Sequence, residues 1–419
     1  MHEELLPFKL QEVWTLVDLP KRKRAIGTKW VFRNKKDERG IVIKNKARLV
    51  AQGDFVVYQM DVKSAFLYGK IKEEVYVCQP LGFEDRNFPD RVYKVEKALY
   101  GLHQALKTWY ETLSTYLLDN GLQRGKIDKT LFIKRDKAVC TKFEKMMHKK
   151  FQMSSMGELT FFLRLQVDQK EDGIFISQDK YVTKILKKFG FTDVKTAITP
   201  METQKPLLKD EDDEEVDVHL YRSMIGSLVY LTSSRPDIMF TVCAYARYQV
   251  NPKVSHLHDV KRIFRYLKGQ PKLGLWYPKD SPFELVAYTD SSYVGASLDR
   301  KSITGGCQFL RCKLISWQCK KQNVVANSTT EVEYIAASNC YGQVLWIQNQ
   351  LLDYGDSNEN KLIQIIKIHT NKNVADLLTK AFDGKLMLLG INLLLLGKVN
   401  AARHKLTAAG HKLTAAGES

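Results

Sequence analysis

One stretch of this chain, Tyr58-Gln59-Met60-Asp61-Val62-Lys63-Ser64-Ala65-Phe66-Leu67-Tyr68-Gly69, constrains the fold more than any other. It reads as a strand that carries one acidic residue, runs into a turn and continues as a helix. Asp61 stands among Val56, Val57, Met60 and Val62, so its sequence neighbours are apolar. A carboxylate in an apolar setting has to be ion-paired, hydrogen-bonded or bound to a metal. The expectation is a functional carboxylate on a strand of a mixed α and β protein.

The chain has 419 residues, enough for roughly two to four domains. Its apolar fraction of 44% allows a core in most segments. Lys and Arg (65) exceed Asp and Glu (47), giving a formal charge of +18. A surplus of this size favours a polyanionic partner, nucleic acid first among them; general solubility is the plainer alternative. The seven cysteines are an odd number without a Cys-x-x-Cys pair, which fits buried or idle thiols in a reducing compartment. Cys307, Cys312 and Cys319 cluster in sequence, and neighbouring strands account for them better than zinc does. His256-Leu257-His258 reads as a solvated helix start rather than a metal site. The start Met1-His2-Glu3-Glu4 lacks the apolar core of a signal peptide, and the apolar run Leu386 to Leu396 is too short to span a bilayer. A soluble protein is expected.

Pattern divides the chain further. Leu5, Leu6, Phe8, Leu10, Val13 and Trp14 fit an amphipathic helix. Lys21-Arg22-Lys23-Arg24 is a basic turn, either a solvated loop or a nuclear-import patch. Lys29–Arg33 and Ala47–Ala51 alternate as strands around the turn Asp37-Glu38-Arg39-Gly40. Periodicity alone makes the segment with Trp109 and Tyr110 an ordinary amphipathic helix. Gly173–Gln178 reads as a strand and Lys180–Phe189 as a basic helix. The acidic run Asp210–Glu215 follows two prolines and reads as a linker. Residues 221–269 look helical and basic. Phe283–Asp290, Ser302–Leu310 and Leu314–Gln318 read as strands, followed by a helix whose start, Ser328-Thr329-Thr330-Glu331, has capping-box spacing. Its apolar positions are Val332, Ile335, Cys340, Val344, Ile347 and Leu351. Residues 384–419 contain a short duplicated string, His404–Gly410 and His411–Gly417, and read as a low-complexity tail.

Three motifs occur in a telling order: the Asp61 stretch, Leu99-Tyr100-Gly101-Leu102-His103-Gln104-Ala105, and Ser328 to Tyr334. Together they resemble the reverse transcriptase and RNase H region of Ty1/copia-type LTR retrotransposon Pol polyproteins. The resemblance implies an α+β fold: incomplete fingers, palm and thumb, then an incomplete RNase H-like α/β domain. The implied boundaries are 1–53 fingers, 54–170 palm, 171–280 thumb and connection, 281–383 RNase H and 384–419 tail. It implies RNA-directed DNA polymerase and RNase H chemistry with two Mg2+ ions. The implied partners are an RNA template, a DNA primer, the RNA–DNA hybrid and dNTPs, with no membrane; oligomeric state is left open. The implied location is a cytoplasmic particle with nuclear access. Carried residue by residue, the resemblance makes Asp61 a metal-binding catalytic residue of the polymerase. Lys46 and Arg48 would face the nucleotide phosphates, and Gln104 the primer–nucleotide junction. In the RNase H part, Asp290, Glu333 and Asp376 would bind metal and catalyse, and His369 would be the mobile histidine. Met156 to Leu163 would form a strand, with Arg164 where the family has glycine.

Parts of the family pattern are missing. Two-metal phosphoryl transfer needs carboxylates that hold ions about 3.5–4 Å apart. The polymerase hairpin with adjacent aspartates belongs where only Asp136 to Lys142 stands, too short for two strands and a turn. Gly53 runs directly into Asp54, where the family carries a joining segment. The third RNase H aspartate belongs between Tyr354 and Leu362, where Asp356 and Glu359 sit in a polar loop. The expectation is an internally deleted, catalytically defective fragment. The alternatives are a non-catalytic nucleic-acid-binding remnant and a pseudogene product without a role.

Overall fold

The computed structural model describes residues 14–21, 23, 25, 57–82, 84–134, 139–202, 214–279, 284–293, 301–310, 312–353, 363–369 and 373–382. The described chain is α+β and forms two compact units, the chain passing between them at Val57/Tyr58 and again at Glu158/Leu159.

The first unit opens with strands β1 (Trp14–Val17), β2 (Tyr58–Val62), β3 (Lys70–Cys78) and β4 (Val92–Lys97). Helix α1 (Ala105–Asp119), β5 (Gln123–Arg124), β6 (Phe132–Ile133), α2 (Val139–Lys150) and β7 (Met153–Glu158) follow. β1, β4 and β3 make an antiparallel sheet, and β2 pairs with β7. Trp14, the last position of the expected N-terminal helix and the first described residue, opens a strand instead. Paired opposite Val95, its ring stacks on Tyr93 at 4.5 Å, a cross-strand contact that overrides helical periodicity. One core cluster of this unit gathers Leu117, Leu122, Met147, Phe151 and Met153, and Leu67, Val77, Val92, Val95 and Ala98 are buried as well. Tyr68, Trp109 and Tyr116 stand edge-on around Phe151 with centroids 5.1, 5.2 and 5.3 Å away. Trp109 is therefore a core residue of a helix, as periodicity predicts.

The second unit holds β8 (Phe161–Phe162), β9 (Leu165–Lys170), β10 (Gly173–Ser177), α3 (Asp179–Lys188), α4 (Val218–Leu231), α5 (Met239–Tyr245) and α6 (Val254–Gly269). β11 (Gly274–Pro278), β12 (Leu285–Ser292), β13 (Ile303–Leu310), β14 (Lys313–Lys321), α7 (Thr329–Asp353) and a 3-10 segment at Val374–Leu378 complete it. The strands form two antiparallel sheets, β11-β10-β9-β8 and β12-β13-β14. One core runs from Ile176 through the helices to Leu378. Inside it, Arg235 grips Asp237 at 2.8 and 2.7 Å, and Tyr266 donates to the same carboxylate at 2.8 Å. A buried charge is tolerated there because every strong partner is supplied.

Three expectations change here. Met156 to Leu163 is not one strand: β7 ends at Glu158, and Leu163 and Arg164 form the tight turn between β8 and β9. Both turn residues have positive φ, 47° and 64°, the conformation that explains why glycine suits position 164. Arg164 also lays its guanidinium over the Tyr181 and Tyr230 rings, at 5.2 and 5.3 Å. His256 is buried rather than solvated: its Nδ1 accepts from the Lys253 amide at 3.1 Å, and its ring stacks on Tyr248 at 3.8 Å. α7 begins as its capping spacing predicts, with Ser328 Oγ accepting from the Glu331 amide at 3.1 Å and Glu331 reaching the Asn327 amide at 2.7 Å. Of its apolar positions, Val332, Cys340, Val344, Ile347 and Leu351 are buried and Ile335 half-buried, with Ala336 buried beside it. Cys307 and Cys319 lie buried on β13 and β14, with Cys312 in the turn between them. Among the described residues no helix is long and apolar enough to cross a membrane. The expected features in residues 1–13, 29–51, 210–213, 355–361 and 384–419 lie outside the described residues.

Candidate active site

Two acidic centres can be followed, one in each unit. In the first, strand periodicity sets the geometry. Met60 and Val62 face the core cluster, so Asp61 points the other way and is exposed. This corrects the reading of Asp61 as a carboxylate among buried apolar groups: its flanking neighbours Met60 and Val62 lie on the opposite face. Asp61 pairs in register with Ser154 of β7. The chain then turns sharply. The Lys63 amide donates to the Gln152 carbonyl at 2.8 Å, Ser64 adopts φ 52°, and a 3-10 turn covers Ala65–Tyr68. Gly69 is required at its end, because a Cβ there would sit 3.0 Å from the Thr108 backbone of α1. Tyr100 packs against Phe66 with centroids 4.7 Å apart. Its phenol is held above the usual tyrosine range, by burial first and by the Asp61 carboxylate second. Gln104 is half-buried at the start of α1, where its carbonyl accepts from the Thr108 amide at 3.0 Å and the Thr108 hydroxyl at 2.6 Å. Lys46 and Arg48 lie outside the described residues.

The second centre is built by close approach. Asp290 lies near the end of β12, opposite Gly305 of β13. A Cβ at Gly305 would meet Thr379 Cγ2 at 2.7 Å, Leu378 Cβ at 2.8 Å and the Ala375 carbonyl at 3.0 Å. Glycine therefore lets the 3-10 segment lie directly on the sheet. Asn373 anchors that segment, donating from Nδ2 to the Thr289 carbonyl at 2.9 Å and accepting from the Ala375 amide at 3.1 Å. The result brings Asp376 beside Asp290, both buried. The Thr379 hydroxyl donates to Asp290 Oδ2. Lys380 Nζ lies 3.0 Å from Asp376 Oδ2 and 3.5 Å from Asp290 Oδ2. Burial first, and the Asp290 carboxylate second, push the Asp376 carboxyl up to about 6. Asp376 Oδ1 is buried and no donor reaches it.

Asp290 and Asp376 are thus brought together, while Glu333 is exposed on α7 and His369 is exposed in an irregular stretch. Among the described residues no group of three His, Cys, Asp or Glu side chains converges as a metal cage. The two aspartates do offer hard oxygen donors, one of them unpartnered, which suits part of a magnesium site. Sequence reasoning did not single out Lys380, Thr379 and Gly305. The i, i+4 spacing of Asp376 and Lys380 was the available signal for the first; nothing local marked the other two.

The comparisons with known proteins bear on both centres. The sequence profile of the family described as "Reverse transcriptase (RNA-dependent DNA polymerase)" matches residues 11–56, 53–139 and 126–203. The chain is 31% identical over 395 residues to the "Retrovirus-related Pol polyprotein from transposon RE2" of Arabidopsis thaliana, covering 82% of this chain and 27% of that protein. The chain belongs to the reverse transcriptase region of Ty1/copia-type retrotransposon Pol polyproteins. A second member of this group, the Pol polyprotein of transposon TNT 1-94 from Nicotiana tabacum, is 29% identical over 481 residues, covering 91% of this chain and 36% of that protein. The chain therefore spans about a quarter to a third of these relatives' length. A foamy viral protease-reverse transcriptase solved in complex with dsDNA aligns with a TM-score of 0.45 and 12% identity, covering 86% of this chain and 77% of that one; a likeness of that size carries no further argument.

Proposed function

We propose that this chain is an internally shortened reverse transcriptase–RNase H region of a copia-type Pol polyprotein that binds an RNA–DNA hybrid without extending a primer. The observation that carries this reading is the path from β6 to α2. Only residues 134–138 separate Ile133 from Val139, too few for two strands and a turn bearing adjacent aspartates. Two features of the comparisons support the same losses. The family match is broken around 53–56 and 126–139, where the motif spacing places the gaps. The alignment with the tobacco relative runs over 481 residues, longer than this whole chain of 419, so that relative carries residues this chain lacks.

In this reading Asp61 is the first metal ligand of the polymerase, left without its hairpin partners. Lys46 and Arg48 face phosphates, and Gln104 lies along the nucleotide path. Asp290 and Asp376 are what remains of the RNase H centre, with Glu333 and His369 as its outlying members. Magnesium, when bound at such centres, activates the attacking oxygen and supports the leaving group. Asp290 and Asp376 would hold it here, and Thr379 and Asn373 would fix their orientation. The net charge of +18 supplies the attraction for the hybrid backbone. The site of action would be a cytoplasmic particle with nuclear access.

Primer extension on an RNA template with Mg2+ and dNTPs tests the reading. No incorporation is expected, alongside hybrid binding that weakens steeply with salt. Incorporation that Asp61→Asn abolishes would overturn the loss of polymerase function. Absent or salt-insensitive hybrid binding would overturn the binding role.

A further inference from the structure

Lys380 lies at the Asp290–Asp376 pair in a role that no sequence motif assigns. Its ammonium sits between the two carboxylates, 3.0 Å from one and 3.5 Å from the other. The carboxylates are buried, yet the Lys380 side chain is 41% exposed. A flexible four-carbon stem at that exposure can carry the charge out to water without moving the backbone. The receiving oxygens stay in place when it leaves: Thr379 holds Asp290, and the 3-10 segment is locked onto the sheet at Gly305. Asp237, the acid that borders a small cavity with Lys380, is already taken by Arg235 and Tyr266. It does not compete for the ammonium.

The charge balance is unequal. One positive charge serves two buried carboxylates, and Asp376 Oδ1 is left with no donor. A buried oxygen in that state calls for a further proton or a cation. A divalent ion would match both carboxylates, but it cannot approach them closely while an ammonium occupies the space between.

We propose that Lys380 is a built-in counter-cation: it holds the Asp290–Asp376 pair together in the metal-free protein and has to swing out before a divalent cation binds, so that it sets the metal affinity of this centre. The proposal rests on reading the pair as a metal-binding remnant, and its test separates the two ideas. Mn2+ binding to the full chain, followed by the loss of the free-ion paramagnetic resonance signal, would compare wild type with Lys380→Met, Lys380→Gln and Asp376→Asn. Both Lys380 variants are expected to bind Mn2+ about tenfold more tightly or better. They should melt lower than wild type without metal and gain more from Mn2+. Having a second neutral variant keeps the test open if one fails to fold.

A merely structural ion pair would lower the melting temperature and leave Mn2+ affinity unchanged. Unchanged or weaker binding in the Lys380 variants, with wild-type binding lost in Asp376→Asn, overturns the counter-cation and leaves the metal site standing. No Mn2+ binding sensitive to Asp376→Asn in any of these proteins overturns both.

Discussion

The two acidic centres differ in how tertiary structure treats a carboxylate. Asp61 sits on the face of a strand turned away from the neighbouring core cluster, and it is exposed. Asp290 sits on a strand of a unit whose core is continuous from Ile176 to Leu378, and it is buried against a second aspartate. The motif around Asp61 is the more specific of the two in sequence, yet its surroundings are the simpler. A motif fixes residue types and their spacing. The side chains that meet a given carboxylate come from elsewhere in the chain, and among the described residues Asp290 is met by Asp376, Thr379 and Lys380.

The comparison breaks most readily at Gly305. Gly305→Val places carbon against Leu378 and the Ala375 carbonyl, at distances below ordinary contact. It should destabilise the second unit by about 1–3 kcal/mol or more and release the 3-10 segment. A urea titration of the full chain, with hydrogen exchange at Asp376 and its neighbours, would reveal it; protection there equal to wild type would mean the close approach is not what holds the pair.

Next in size is a pH effect confined to the second centre. The Asp376 carboxyl is raised from 3.8 to about 6 in the folded protein. The folded state therefore binds that proton more tightly than the unfolded state, and stability falls as pH rises from about 4 to about 6. Above that range the ionised carboxylate carries its full cost. Asp376→Asn cannot ionise, so it should flatten this slope and exceed wild type above pH 6 by on the order of 1–2 kcal/mol, after allowance for the lost Lys380 contact. Parallel wild-type and variant profiles from pH 4 to 8 would contradict the assignment.

The smallest effect sharpens the contrast from the other side. Asp61→Asn changes an exposed side chain with no packing role, so stability should move by no more than about 0.5 kcal/mol. A loss of several times that in a denaturant titration would mean that Asp61 is anchored in the fold.

Legibility in the sequence followed the range of the interactions. The strands near 285–321 and the helix at 179–188 lie close to where sequence pattern puts them, because such patterns are local signals; the region 221–269, read as helical throughout, divides into the helices at 218–231, 239–245 and 254–269. The capped start of α7 was equally legible, since its hydrogen bonds span only a few residues. Trp14 departs from the helical pattern because a distant partner, Tyr93, decides its environment, and His256 is buried by Tyr248, which a non-helical turn of chain before α6 brings back onto it. Asp61 was misplaced for a related reason. Apolar neighbours in a strand alternate faces, so they bury the opposite side.

The sequence by itself determined the family, the order of its motifs and the choice of Asp61, Asp290, Glu333 and Asp376 as the acids to follow. Those are properties of residue type and spacing along one chain. Only the tertiary structure decided that Asp290 meets Asp376, that Gly305 permits the meeting, and that Lys380 stands between them. Those contacts join β12, β13 and a segment about seventy residues further on, and no local pattern encodes an approach that depends on the absence of one Cβ atom.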